Sequence, residues 1–350
     1  MKRLFAFLSL FSFSFCAMSQ PEKTIDSLFA EFAKTNSPGA AVMVIKEGKP
    51  VFAKGYGMAN LADETRCSTN TNFRLASVTK QFTAMSILIL AERGKLSLED
   101  KMTKFLPEFP DYGNEITIRQ LLNHRSGLID YEDVMPANTT IPLSDRDVLW
   151  ILRQQEKTYF LPGKEFRYNN SGYALLALIV ENVSGQKFAA FLQDNIFQPL
   201  GMSNSVAYEE GISVVPNRAF GYAKVEGGFE FSDQSSTSAV LGDGGIYSSL
   251  IDLFKWDQAL YTEKLVSKKM LLQAFTAHSP KSDIKGSGYG FGWYVAQHRD
   301  ADRIWHYGST CGFSTELNRF PEKKLSVIIL INRRDAKNPD VSRKIADLFW

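Results

Sequence analysis

The sequence has few residues of the types that build metal sites and disulfide frameworks. Only three of its 350 residues are cysteine and four are histidine, and their spacing matches no common zinc-binding pattern. We therefore expect a functional site without a metal ion or cofactor. Cys67 and Cys311 could form a disulfide in an oxidising compartment or remain two unrelated thiols, and the sequence leaves both possibilities open.

Net charge is also lacking once the first residues are set aside. Residues 1–19 have a basic start, an apolar run from Leu4 to Phe15 and a small-residue pattern before Gln20. This arrangement predicts a secretory signal peptide cut between Ser19 and Gln20, and hence a periplasmic or secreted protein. The chain has 40 basic and 38 acidic residues, and two of the basic ones fall in this segment. The mature chain is therefore neutral, and a nucleic-acid partner is not expected.

Long hydrophobic runs are scarce as well. A membrane-spanning helix needs about 20 apolar residues, and outside the predicted signal peptide no segment reaches that length. We predict a single domain over residues 20–350 with no transmembrane segment, and its oligomeric state stays open. The Gly-x-Ser-x-Gly motif is also absent, which argues against an α/β-hydrolase esterase.

The most distinctive feature that is present is a serine and a lysine at the start of an apolar helix. Ser77 and Lys80 stand three residues apart, and residues 84–91 are apolar except for Ser86. This pattern predicts a helix that begins near Ser77, is buried nearly all round and ends before Gly94. Because residues three apart share a helix face, the Lys80 amine can reach the Ser77 hydroxyl. A desolvated lysine in that position would activate the serine as a nucleophile.

The Ser-x-x-Lys spacing alone is weak evidence, because the chain has it three times. Ser184 and Lys187 lie at a predicted helix end beside a glycine, and Ser282 and Lys285 lie in a polar loop. Neither of these pairs is expected to be rigid, so only the pair that opens a buried helix is a candidate site.

Two other short patterns stand where side chains can face a cleft. Tyr168-Asn-Asn170 follows a Pro-Gly turn and precedes an apolar helix, and His306-Tyr-Gly308 ends a predicted strand. Each has a plainer interpretation: Tyr168 as a core ring, Asn170 as a helix N-cap, and His306 as a structural strand residue.

Strand patterns are concentrated near the two ends of the chain, with helical patterns between them. The predicted fold class is α+β: an antiparallel sheet built from N- and C-terminal segments and flanked by helices, plus an inserted, mainly helical lobe. The α/β lobe is predicted from about 20–75 and 250–350, and the helical lobe from about 76–249. The predicted strands lie at 41–45, 51–54, 293–297, 303–306, 313–320 and 325–331, and predicted helices include 21–34, 118–123, 145–155, 173–183 and 341–350.

The order of these motifs resembles the serine β-lactamase and penicillin-binding protein superfamily, and specifically its class C β-lactamase-related branch of esterases and D-amino-acid peptidases. That family has Ser-x-x-Lys, Tyr-x-Asn and Lys/His-x-Gly elements in this order, and the resemblance implies a β-lactamase/transpeptidase-like fold. Other stretches similar to the family are 73–77, 121–128, 162–163, 199–202, 244–247 and 289–293.

The resemblance also implies catalytic roles. Ser77 would be the nucleophile, and Lys80 would take its proton or stabilise the acceptor. Tyr168 would be the partner acid/base, a role for which we expect neighbouring cations such as Lys80 to lower the phenol pKa. Asn170 would orient Lys80 and bind the substrate amide.

The remaining roles concern the strand that ends at His306-Tyr-Gly308. The backbone N–H groups of Ser77 and Ser309 would form the oxyanion hole, and Gly308 would let the substrate backbone approach closely. His306 replaces the lysine of true β-lactamases. Because histidine is largely neutral at pH 7, attraction for a substrate carboxylate is expected to be weaker.

The predicted function is therefore a serine hydrolase that forms a Ser77 acyl-enzyme on carboxylic esters or on amides and peptides that contain D-amino acids. Its partner would be a small-molecule or peptide substrate. Two alternatives stay open: a β-lactamase or D,D-carboxypeptidase that binds penicillin, and a non-catalytic relative that binds peptidoglycan or a protein.

Overall fold

A computed structural model describes residues 19–335 and 340–350 of the chain. The predicted signal peptide lies outside the described residues except for Ser19. The strands, in chain order, are β1 (Ala40–Lys46), β2 (Lys49–Tyr56), β3 (Met58–Asn60), β4 (Thr65–Arg66), β5 (Phe73–Arg74), β6 (Val206–Ala207), β7 (Tyr222–Val225), β8 (Gly228–Phe231), β9 (Ile246–Ser248), β10 (Gly288–Tyr289), β11 (Tyr294–His298), β12 (Ala301–Thr310), β13 (Phe313–Phe320) and β14 (Leu325–Ile331).

The α-helices of the described residues are, in chain order, α1 (Gln20–Leu28), α2 (Lys80–Glu92), α3 (Ile118–Leu122), α4 (Tyr131–Val134), α5 (Asp145–Arg153), α6 (Asn170–Ser184), α7 (Phe188–Leu192), α8 (Gln198–Leu200), α9 (Leu241–Gly244), α10 (Leu250–Ala259), α11 (Lys268–Phe275) and α12 (Val341–Asp347).

The main sheet joins strands from the two ends of the chain. Its seven strands follow the order β10-β11-β12-β13-β14-β1-β2, and β1 pairs with β14 in antiparallel register, Ala40 opposite Ile331. Both of these central strands are buried along nearly their whole length, which explains their continuous runs of aliphatic residues. The predicted α+β fold with a sheet from both termini is confirmed.

Helices cover both faces of this sheet. Ile25 of α1 and Ile345 of α12 pack with Val42 and Val327 on one face, while α2 and its neighbours form the larger core on the other. The predicted helix over 21–34 is shorter than expected, because α1 ends at Leu28. Its N-terminus is fixed by a capping box that uses the Ser19 side chain.

The central segment contains more than helices. Small sheets with the strand orders β5-β9-β6 and β7-β8 lie among them, built from strands of two to four residues. Such short strands bury few alternating side chains, so they carry little hydrophobic periodicity. The division of the chain into two lobes remains a prediction.

The helix that follows the nucleophile candidate is fully enclosed. Ser77 lies in a 3₁₀ turn, Ala76–Thr79, and α2 begins directly afterwards at Lys80. Every residue from Lys80 to Leu90 is buried, as the apolar sequence predicts. The Phe82 ring stacks on Trp256 at 4.3 Å between centroids, and such aromatic packing fixes the start of α2 in position.

Cys67 and Cys311 are both free thiols, so of the two alternatives the disulfide is not formed. Within the part of the chain that the structure describes, no single helix has the length and hydropathy of a membrane span, although the bent pair Asn170–Ser184 and Phe188–Leu200 passes by length and composition alone.

Candidate active site

The turn that carries Ser77 is pressed against strand β12. A Cβ built on Gly308 would stand 2.2 Å from the Leu75 carbonyl oxygen and 3.0 Å from Ala76 Cβ. The Thr315 hydroxyl donates to the same Leu75 oxygen at 2.7 Å. Gly308 is thus needed for contact between the strand and the nucleophile turn. The expectation was that it gives room to a substrate backbone; what the structure shows is close packing within the protein.

The backbone beside the nucleophile is strained. Ala76 has a φ of +48°, in the left-handed region that residues with a Cβ rarely occupy. Such a conformation costs on the order of 1–3 kcal/mol and persists only where the surroundings enforce it. Ala76 packs closely against β12 at Gly308 and also lies near Gly244.

Lys80 joins the three sequence motifs. Its Nζ lies 3.2 Å from Ser77 Oγ, 2.8 Å from Asn170 Oδ1 and 3.0 Å from the backbone oxygen of Asp243. The side chain is completely buried, which lowers the pKa of its amine, and the charges of nearby carboxylates oppose this effect. The lysine and serine predicted to act together are therefore in contact.

Tyr168 also reaches the nucleophile, but its ionisation differs from the expectation. Burial raises the pKa of the phenol well above 10, and the interaction of its hydroxyl with the nearby Ser77 side chain lowers it by less. The Lys80 amine lies 5.0 Å from the centre of the Tyr168 ring, and it does not offset the effect of burial. The expectation that cations lower this pKa is wrong: desolvation dominates, and Tyr168 stays a neutral phenol.

The N-cap of α6 is the residue before Asn170, not Asn170 itself. Asn169 is the N-cap of α6, and its Oδ1 accepts from the Gly172 N–H at 2.8 Å. Asn170 is the first residue of the helix, so its side chain is free to bind Lys80 through Oδ1 and Glu132 through Nδ2, the latter at 2.8 Å. The interpretation of Asn170 as an N-cap is wrong.

A group of carboxylates beside Lys80 was missed by sequence reasoning. Asp130 accepts from the Asn170 backbone N–H at 2.8 Å, Glu132 holds the Asn170 side chain, and Asp243 accepts from the Tyr131 hydroxyl at 3.1 Å. We name Asp130, Glu132 and Asp243 the acidic cluster. Burial raises the pKa of Asp130 to about 6.

No short motif links the members of this cluster, since Asp243 stands 111 residues beyond Glu132 in the chain. The sequence offered one weak signal for this cluster, which is that its acidic residues lie in segments connecting predicted helices. Across the described residues, no group of three or more His, Cys, Asp or Glu side chains is arranged to hold a metal ion.

His306 is neutral, and both of its ring nitrogens are engaged. Nδ1 lies 2.7 Å from the Tyr307 carbonyl oxygen, which can only accept, so Nδ1 carries the proton. Nε2 therefore accepts from the Tyr289 hydroxyl at 2.9 Å. Burial, and then the charge of Lys80, lower the pKa of His306 to about 3. The imidazole is thus no substitute for a permanent cation.

His124 supports the catalytic segment from behind. Its Nδ1 accepts from the Asn169 N–H at 3.2 Å, and its ring packs on Tyr168 at 4.4 Å between centroids. Its φ is +58°, which suits a turn residue. These contacts give His124 a structural role.

Three of the predicted residues line one cleft. Ser77, Asn170 and Ser309 line it together with Glu132 and Asp243. The other two Ser-x-x-Lys pairs have different partners: Ser184 Oγ donates to the Val180 carbonyl, and Ser282 Oγ contacts Ser287 at 2.7 Å.

The fold and this site are those of a class of serine hydrolases, and in this chain a buried lysine lies beside Ser77 where an antiparallel sheet meets a set of helices. The sequence pattern of the Beta-lactamase family matches residues 25–348, nearly the whole described chain. The chain belongs to this family.

Individual relatives agree with the assignment. The chain is 33% identical over 335 residues to Penicillin-binding protein 4* of Bacillus subtilis, and the match covers 89% of this chain and 72% of that protein. The octameric penicillin-binding protein homologue from Pyrococcus abyssi has a similar structure, with a TM-score of 0.84, 28% identity, and coverage of 94% of this chain and 76% of that chain. Because that homologue is octameric, the oligomeric state of this protein stays open.

A more distant structure shares the fold. D-amino acid amidase from Ochrobactrum anthropi has a TM-score of 0.76 and 22% identity, covering 89% of this chain and 92% of that chain in its complex with L-phenylalanine amide. The family is thus built on a fold that accommodates more than one chemistry, so the substrate has to be argued from the site.

Proposed function

We propose that this protein is a serine hydrolase that forms an acyl-enzyme on Ser77, with carboxylic esters or D-amino-acid-containing amides and peptides as substrates. The observation that carries the proposal is the convergence of the Ser77 hydroxyl, the Lys80 amine and the Tyr168 hydroxyl, which belong to separate segments of the chain. Asn170 binds the same amine.

Hydrogen-bond geometry makes Lys80 the base for acylation. A neutral amine has two N–H donors and one lone pair. Asn170 Oδ1 and the Asp243 carbonyl oxygen accept the two N–H bonds, which leaves the lone pair for the Ser77 hydroxyl at 3.2 Å. As Ser77 Oγ bonds to the substrate acyl carbon, its proton passes to Lys80 Nζ.

Tyr168 then acts as the acid. Because burial keeps its phenol protonated, it can donate its proton to the departing nitrogen or oxygen as the bond from the acyl carbon breaks. Lys80 returns its proton to Tyr168 directly or through a water molecule. In deacylation the same groups take the proton of an attacking water and restore it to Ser77.

The negative charge on the acyl oxygen needs two fixed donors. The backbone N–H groups of Ser77 and Ser309 are the proposed pair, since both residues line the cleft. Gly308 places the strand against the nucleophile turn, so the distance between the two residues is set by backbone packing. Such preorganised donors are typically worth about 3–4 kcal/mol each in the transition state.

The charges around the cleft favour a substrate that is uncharged or carries an amine. Glu132 and Asp243 contribute carboxylates to the cleft, and Arg74 is tied to Gln234 and to the Ser238 carbonyl. The neutral His306 supplies no cation. A free α-amino group near Glu132 would gain a charge-assisted hydrogen bond, whereas a substrate carboxylate there would be repelled.

The test is intact-mass spectrometry and turnover with three kinds of substrate: p-nitrophenyl esters, D-alanine p-nitroanilide and its N-acetyl derivative. We expect Ser77-dependent turnover of at least one ester, and faster cleavage of the free-amine anilide than of the acetylated one. The Ser77→Ala variant should show neither adduct nor turnover. A Ser77→Ala protein as active as wild type would overturn the proposal.

A second candidate function is penicillin binding, as in a D,D-carboxypeptidase or β-lactamase. It is favoured by the similarity to penicillin-binding proteins at 33% and 28% identity. Lasting labelling by a fluorescent penicillin, or turnover of a chromogenic cephalosporin, would support it over the ester or amide activity. A native protein that no fluorophosphonate labels would instead indicate a non-catalytic relative.

The proposed location is the periplasm or the extracellular space, which rests on the sequence pattern of residues 1–19. The N-terminal residue of the protein secreted by a Gram-negative host tests it, with Gln20 expected as the first residue.

A further inference from the structure

Asp243 is a buried carboxylate in the active-site cleft to which acyl-enzyme chemistry assigns no role. It belongs to α9, is only 7% exposed, and lines the cleft with Ser77 and Asn170. Its Oδ2 accepts from the Tyr131 hydroxyl at 3.1 Å. Its backbone oxygen accepts from the Lys80 amine, so α9 is attached to the lysine that activates the nucleophile.

A buried ionised carboxylate costs several kcal/mol unless a cation is near. Among the described residues, no lysine or arginine forms a direct ion pair with the Asp243 side chain, and Lys80 is the cation that most stabilises its charge. The relation is mutual, since Asp243 is the carboxylate that most stabilises the ammonium form of Lys80. Each residue is the other's principal charge partner.

We propose that Asp243 is the positioning residue that supplies the counter-charge to Lys80 and thereby sets the fraction of enzyme with a free Lys80 amine. The inference rests on the proposed function of Lys80 as the base for Ser77. It adds that the base is tuned by the side chain of a residue on α9, whose carboxylate takes no part in the bonds that form and break.

The direction of the effect follows from the charges. Burial raises the pKa of Asp243 and lowers the pKa of Lys80, so the two groups titrate as an interacting pair. An ionised Asp243 holds the proton on Lys80. Replacing the carboxylate with a neutral amide removes that attraction, and Lys80 then loses its proton at a lower pH.

Other titratable groups surround Lys80 and Asp243, and they limit how far the pKa of Lys80 changes in Asp243→Asn. Asp130 and Glu132 also stabilise the Lys80 ammonium, and they remain when Asp243 is changed. Burial keeps the surrounding imidazoles and phenols neutral in the working range. The titratable groups that act on the pair are Asp130, Glu132, Asp145, His124, His306, Tyr131 and Tyr168. An opposite charge at close range shifts a pKa by about one to three units, so a shift of about one is expected.

The experiment measures the second-order rate of Ser77 labelling by a fluorophosphonate between pH 5 and about 10. This readout follows nucleophile activation and needs no natural substrate. In Asp243→Asn, the midpoint of the acid limb is expected about one pH unit below that of wild type. Asp133→Asn is the matched control, because it removes an exposed carboxylate that pairs with Arg167, and its midpoint should match wild type.

Tyr131→Phe is a second variant that keeps the test informative if Asp243→Asn fails to fold. It keeps the carboxylate but removes the hydrogen bond to its ionised form, so the midpoint should fall in the same direction by a smaller amount. Slower labelling with an unchanged midpoint in both variants would mean that Asp243 is only structural, and would overturn the inference while the proposed function stands. A wild-type protein without Ser77-dependent labelling would overturn the proposed function itself.

Discussion

Two groups of side chains near Lys80 differ in charge. One is the acidic cluster around Asn170 and Lys80. The other is a set of neutral aromatic rings, Tyr168, Tyr289, Tyr294 and His306, packed at centroid distances of 4.9–6.4 Å. We name these four residues the aromatic wall.

The difference separates two tasks that a serine nucleophile needs. In the proposed mechanism, the carboxylates near Lys80 influence whether its amine is free, and they are in place before substrate arrives. Rings without charge exclude water and hold a proton donor, because burial raises the pKa of Tyr168. Variants that remove a hydroxyl from the aromatic wall or a charge from the acidic cluster therefore test whether the tasks are divided in this way.

The largest effect is expected from removing the hydroxyl of Tyr168, the member of the aromatic wall proposed as the general acid. Tyr168→Phe should lower kcat/KM for D-alanine p-nitroanilide by about 10²–10⁴, the usual range for loss of a general acid. The loss should be smaller for a p-nitrophenyl ester, because p-nitrophenolate leaves without needing a proton. Steady-state rates on the two substrates provide the measurement.

Tyr294→Phe is the matched control for this variant. Its ring lies parallel to that of Tyr168, at 6.4 Å between centroids, but its hydroxyl donates to Asp283 outside the site. Anilide hydrolysis should stay within about threefold of wild type, as for a single hydrogen bond away from the reaction. Equal losses in both variants would show that the rings act only by packing.

A smaller and more selective effect is expected on the acidic side. Glu132→Gln removes a charge but keeps an oxygen that can accept from Asn170 Nδ2. A charge-assisted hydrogen bond is worth about 1.5–3 kcal/mol, so KM for the free-amine anilide should rise about tenfold or more. KM for the N-acetyl anilide should not change, and an equal rise for both substrates would contradict amine recognition by Glu132.

The sequence alone could predict those parts of the site that are local or carried by a motif. Ser77 and Lys80 are one helical turn apart, so their contact follows from spacing. The alternation and length of the strand patterns were enough to place β1, β2 and β11–β14 within a few residues. The contact of Tyr168 with Ser77 was expected only from family resemblance, because no local rule relates positions 91 residues apart.

What sequence could not predict depends on burial and on neighbours distant in the chain. The choice between Asn169 and Asn170 as N-cap depends on where α6 begins, which is uncertain by one or two residues in any sequence-based prediction. The acidic cluster combines Asp130 and Glu132, at the start of α4, with Asp243 of the distant helix α9. The direction of the Tyr168 pKa required knowing that the phenol is completely buried, since desolvation and a nearby cation act in opposite directions.

The smallest effect on catalysis is expected where the aromatic wall fixes His306. In Tyr289→Phe the buried Nε2 of His306 loses the hydroxyl that donates to it. Leaving a buried acceptor unpaired costs about 1–3 kcal/mol of unfolding free energy, so the Tm should fall by several degrees. Because His306 is neutral and contributes no charge to the substrate, kcat/KM for the esters should stay within about threefold, a change below 1 kcal/mol.

Tyr307→Phe, whose side chain is 43% exposed, should lower the Tm less, since water can replace its hydroxyl. If Tyr289→Phe instead removes activity without changing the Tm, His306 takes a direct part in catalysis, and the division between a charged side and a purely supporting side is wrong.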